Sequence, residues 1–180
     1  MLDAFHSRFS RLLLALLLAS ATLWLGGTVV RAALGYDVFV PGTLDLKPTL
    51  DDAEKLATIR LFVSTAAYTG WAFGIAALCA IVLSIRERAA YAHRGWMLMI
   101  AILAWLLVPL QGWSVYHDYL LAQHFDMSTD TMMPLLSMPD LLVVFRERIA
   151  NVGLAMSNGL SVLIGFTIII LAAMRPLERS

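Results

Sequence analysis

From Ile149 to Met174 the chain carries no charged residue. A run of that length and composition leaves few options. In hydrocarbon every backbone N–H and C=O must be satisfied within the protein, so only helices and closed barrels cross a bilayer. About 20 consecutive apolar residues make one helical crossing of a core about 30 Å thick. The cluster Arg146-Glu147-Arg148 stands directly in front of the run and marks its boundary. Three more uncharged runs occur, at residues 12–30, 61–85 and 96–116. Spans are predicted over about 12–33, 61–85, 96–116 and 149–174, in a single polytopic domain covering 1–180.

Composition agrees. The chain is 60% hydrophobic and 14% charged, whereas soluble domains run near 45–50% apolar and about 25% charged. Lysine plus arginine equals aspartate plus glutamate at 13 each, which argues against nucleic acid as a partner. The single cysteine, Cys79, lies inside an apolar run and reads as a small buried residue.

Ala19-Ser20-Ala21 fits a small-x-small cleavage site, but the apolar run continues to Val30, too far for a signal segment alone. An uncleaved first span is expected. Arg31 closes it, with a stem long enough to snorkel. In the following connection Pro41-Gly42 and Pro48 are turn signals, and Thr49 followed by Asp52 predicts the N-cap of the next helix. Pro109, inside the third span, is expected to kink the helix or free a carbonyl, with Gln111 placed to satisfy it or to face a cavity.

Arginine placement predicts orientation. The N-terminal segment, the 86–94 connection and the C-terminal tail hold seven arginines, while the 117–140 loop has no lysine or arginine. In the 32–59 loop Lys47 and Lys55 are diluted by five acids. The positive-inside rule then puts both termini in the cytoplasm and both long loops outside, consistent with an all-α four-helix transmembrane bundle in up-down-up-down order. A bacterial inner membrane is the expected location.

Small residues recur at every fourth position in two places: Ala66, Gly70 and Gly74 on the second span, and Gly153, Ser157, Ser161 and Gly165 on the fourth. Such stripes let helix backbones approach where lipid supplies no hydrophobic drive. The two are expected to pack against each other.

Four candidate sites follow. The first is at the outer span ends, where Arg31, Arg60, Arg146 and Arg148 share a depth with His117, Asp118 and Glu147. Asn151 and Asn158, seven residues apart, would face one way on an unbroken helix. Arginines at the mouth of a cavity with amides below suit a quinone carbonyl or an anionic lipid headgroup. The plainer reading has the arginines snorkelling and pairing with Asp118 and Glu147 while the asparagines join helices.

The second is a soft-ligand set for copper(I): His117, His124, Met127, Met132 and Met133, with Met138 nearby. The two histidines lie about 10 Å apart along a helix, too far to share one ion unless the helix breaks. The plainer reading makes the methionines apolar caps over the bundle mouth. Leu23-Trp24-Leu25-Gly26-Gly27 resembles the start of one helix in copper-resistance D-type membrane proteins; the resemblance covers that helix alone and implies no site residues here.

The third is haem. A b-type haem needs paired histidines at one depth on facing helices. His93 and His117 bracket the third span at opposite ends, so haem is disfavoured.

The fourth is a short motif. Glu147-Arg148-x-x-Asn151 is similar to one in four-helix membrane enzymes of glutathione and eicosanoid metabolism, where it lies on the second span rather than the fourth.

No phosphate loop, catalytic triad spacing or zinc motif is present. The leading expectation is a non-catalytic accessory or assembly subunit of a membrane complex, with other membrane subunits or further copies of the chain as partners. The other is a small-ligand membrane protein binding a quinone, lipid headgroup or copper at the outer mouth.

Overall fold

The computed structural model describes residues 8–92, 94–126, 128 and 132–174. The chain is a small all-α membrane protein. Helices α1 (Arg8–Asp37), α2 (Asp52–Arg86), α3 (Gly95–Ala122) and α5 (Val152–Met174) are each long and apolar enough to cross a membrane. A shorter helix, α4 (Met138–Ala150), precedes α5, and a 3-10 turn at Arg88–Ala92 joins α2 to α3. One two-residue antiparallel pair, β1 (Phe125–Asp126) and β2 (Met133–Pro134), ties down the connection after α3.

The helix starts follow local chemistry. Asp51, not Thr49, caps α2: its carboxylate accepts from the Glu54 N–H at 2.7 Å while Glu54 accepts from the Asp51 N–H at 2.9 Å. This reciprocal capping box satisfies two of the donors a helix start leaves open. α3 continues through Pro109.

The predicted span 149–174 crosses a helix break near its start. Asn151 takes an extended conformation (ψ 105°) between α4 and α5. Its side-chain oxygen then accepts from the Leu154 N–H at 3.1 Å, which makes it the cap of α5. An amide that bonds neighbouring backbone in this way competes with helix continuation.

Contacts show which helices meet. Ser10 bonds Glu87 at one end of the bundle, and Gly35 meets Phe62 at the other. Along α1 and α3, Leu14 packs with Trp96 and Trp24 with Leu107, and Arg31 meets Asp118. At the Arg31 end the two long connections fold over the helices. Val38, Phe39, Ile59, Phe62, Leu121, Phe125, Leu141 and Phe145 form one buried apolar cluster there. Phe145 organises it, stacked on Phe39 at 6.1 Å and edge-on to Phe62 at 5.3 Å. The 38–47 connection closes as a hairpin, with Lys47 N–H donating to Val38 and a turn at Gly42, whose φ of 80° glycine adopts without strain.

The expected pairing of the two small-residue stripes is not what forms. Gly165 lies against Trp24 and Leu25 of α1, and Gly153 against Trp113 of α3. Ser157 donates to the Leu110 carbonyl of α3 at 2.7 Å, and Ser161 is fully buried. The fourth-span stripe therefore meets α3 and α1. Of the α2 stripe, Ala66 is buried, a methyl at Gly70 would only touch Val115 at 3.5 Å, and Gly74 is exposed, where a methyl would meet nothing within 4 Å. The period of four drifts around a helix that turns 3.6 residues per turn, so the stripe leaves the interface. The close α1–α2 approach uses Gly27, against Thr69 and Tyr68, and Gly35, against Phe62, with Ile149 of α4 also close to Gly35.

Candidate functional site

One chain of polar side chains crosses the bundle below the apolar cap. Asp118, on the buried face of α3, is its centre. One carboxylate oxygen, Oδ1, accepts twice from Arg148, from Nε at 2.9 Å and Nη2 at 2.6 Å. The other, Oδ2, accepts from Arg31 Nη1. Arg148 Nη2 also donates to Ser114 Oγ at 3.1 Å, and Ser114 donates to Asn158 Oδ1 at 2.7 Å. The chain joins α1, α3, α4 and α5. Arg31, Asp118 and Arg148 are 3%, 4% and 8% exposed, so all three charges are withdrawn from solvent. The Arg31 guanidinium also lies over the Phe62 ring, 5.7 Å from its centroid, a cation–π contact.

Such burial is costly unless geometry is good and the remaining donors are used. Here both carboxylate oxygens are engaged and Arg148 reaches a hydroxyl as well. Two guanidiniums face one carboxylate, so the cluster carries one surplus positive charge.

Of the residues singled out from sequence, this cluster gathers Asp118, Arg148 and Asn158, together with Arg31. It omits the others. Arg146 and Glu147 are exposed, so Asp118 alone takes the arginines. Asn151 is exposed and spent on the α5 cap, and the helix break removes the shared facing with Asn158 that a continuous helix would give. His117 is half-buried between Trp113 and Tyr116, each ring edge-on at 5.8 Å. Arg60 donates to Met133 Sδ at 3.6 Å. Ser114 went unrecognised because a lone serine in an apolar helix is usually occupied with its own backbone; its position one turn before Asp118 was the available signal.

The thioethers turn to α2. Met132 Sδ accepts from Ser64 at 3.3 Å, as Met133 does from Arg60, and Met132 and Met138 pack on the apolar cap. Met127 lies outside the described residues. Among the described residues no three His, Cys, Asp or Glu side chains gather as a metal site. In the β1–β2 connection the hydroxyl and backbone N–H of Ser128 hold the Asp126 carboxyl below its usual range.

Chemically, the cluster is a brace. Both oxygens of its acid accept from guanidiniums, and it ties four helices together. The chain matches no family model, no curated protein and no solved structure.

Proposed function

We propose that this small membrane protein is a non-catalytic accessory or assembly subunit of a membrane complex, or associates with copies of itself, in a bacterial inner membrane with both termini cytoplasmic. Arginine placement supports the orientation. The association rests on one face of α2. Trp71 is 77% exposed near the middle of the apolar 61–85 run. Tryptophan prefers the interface, where its N–H stays wet, so a bare indole at this depth is better accounted for by a neighbouring helix than by lipid. Gly74, three residues on, is open, and Ala67, four residues back, is exposed. A large knob between small residues is what a packed helix pair uses.

Native mass spectrometry in mild detergent tests this reading. The wild-type chain is expected to carry a second membrane polypeptide or a second copy. Gly74→Leu is expected to strip it away, because nothing in the isolated chain obstructs the new side chain. A monomer with no protein partner, or association indifferent to both Gly74→Leu and Trp71→Ala, would remove the reading.

A further inference from the structure

Two neighbouring thioethers tie the connection between α3 and α4 to α2. Met132 Sδ accepts from the Ser64 hydroxyl at 3.3 Å, and Met133 Sδ accepts from Arg60 Nη2 at 3.6 Å. Beside the apolar packing on the cap, the backbone hold is slight. β1 and β2 pair over two residues, and the Leu135 N–H donates to the His124 carbonyl at 2.9 Å. Met132 has φ 45°, in the left-handed region that residues other than glycine seldom occupy. The backbone does not favour this arrangement by itself, so side-chain anchors matter to the docking of β2.

The two sulfurs differ in setting. Met132 is half-buried and packs on the apolar cap. Met133 is 52% exposed. Among the described residues outside the spanning helices the methionines are Met132, Met133 and Met138, and of these Met133 alone is exposed. Its partner has donor capacity to spare. Arg60 Nε is buried with no hydrogen-bond partner, and a thioether is only a weak acceptor for a guanidinium. A buried donor left unsatisfied is costly, so this cation is short of an oxygen. Three rotatable bonds let Met133 swing an atom attached to its sulfur across the guanidinium.

We propose that Met133 is an oxidation site and that its sulfoxide locks β2 onto α2 through Arg60. The oxidant is a water-borne hydroperoxide such as hydrogen peroxide. Its O–O bond breaks as a sulfur lone pair forms the S–O bond. The departing hydroxide takes the proton of the transferred oxygen and leaves as water. Sulfur is oxidised by two electrons and the peroxide is reduced by two. The product exchanges a weak acceptor for a strong one, and a guanidinium bond to it is charge-assisted. At Met132 the same oxygen would enter the apolar cap and loosen it. Methionine sulfoxide is reducible enzymatically, so the lock can be undone. The proposal goes beyond the association face of α2 and does not rest on it.

The test treats the full chain in nanodiscs with graded hydrogen peroxide. Peptide mass spectrometry is expected to find sulfoxide on Met133 before Met132. Amide exchange at Leu135, directly after β2, is expected to slow about tenfold on oxidation, the scale of one hydrogen bond to a charged group. Methionine sulfoxide reductase is expected to restore the faster rate. Arg60→Leu and Met133→Leu, each checked for fold by circular dichroism, are expected to abolish the slowing. Oxidation of Met132 first overturns the proposal. So does wild-type exchange that oxidation leaves unchanged or speeds, or a slowing that persists in either variant.

Discussion

Arg148 spends both of its bonds to Asp118 on a single oxygen, Oδ1, leaving Oδ2 to Arg31. The carboxylate is thus a bridge between two cations that would otherwise repel across a dry interior. Its removal and the removal of one cation are not symmetrical events.

Asp118→Asn keeps the shape and leaves two buried guanidiniums without an anion. Breaking a buried pair from one side costs about 3–5 kcal/mol, and the variant is expected to lose at least about 3 kcal/mol. Arg31→Met leaves the Asp118–Arg148 pair electrically balanced and is expected to cost clearly less. Chemical unfolding in mixed micelles reads both. Equal losses, or a larger one for Arg31→Met, would mean the surplus charge has no energetic weight.

Gly27 and Gly26 are neighbours with opposite surroundings. A methyl at Gly27 would strike Thr69 and Tyr68, whereas Gly26 has nothing within 4 Å. Gly27→Ala is expected to destabilise by about 1–3 kcal/mol through overpacking. Gly26→Ala is expected to be neutral or slightly stabilising, since a helical glycine gives way to a better helix former. Thermal unfolding of the two variants side by side decides, and a reversed order would contradict the α1–α2 packing.

Asn151→Ala removes the cap of α5 and is expected to cost about 1 kcal/mol. Amide exchange at Leu154 should rise while exchange at Leu163 stays unchanged. If protection at Leu154 is kept, the break between α4 and α5 is not held by this side chain.

The arginine distribution predicts a cytoplasmic 86–94 connection and an external 117–140 loop. A phosphatase reporter joined after Ser128 should be active and one joined after Arg88 silent. The reverse pattern, or equal activity at both, would refute the orientation.

The number of long helices was legible because lipid tolerates so few backbone solutions that four neutral runs can scarcely mean anything else. Asp118 was legible as an acid at the right depth; that it would take both arginines was not, because Glu147 stands between Arg146 and Arg148 and looked equally placed. Residue spacing misleads where a helix breaks or its repeat does not match 3.6 residues per turn. Asn151 is such a break, and Gly74 drifts out of the α2 stripe for the second reason. Gly27 and Gly35 are eight residues apart with no small residue midway that would have marked a stripe; only the facing Thr69 and Phe62 reveal them.

The three charges of the brace arrive in the membrane far apart in time. Asp118 is made 87 residues after Arg31, and Arg148 a further 30 residues later. During synthesis Arg31 must therefore wait for the third span before it meets Asp118, and at that stage the pair itself is neutral. Only the entry of α4 ahead of α5 adds the second cation and bolts α4 through Asp118 to the first helix, so a nascent chain halted before Arg148 should remain a looser bundle that later segments, or a helper acting in the bilayer, have still to close.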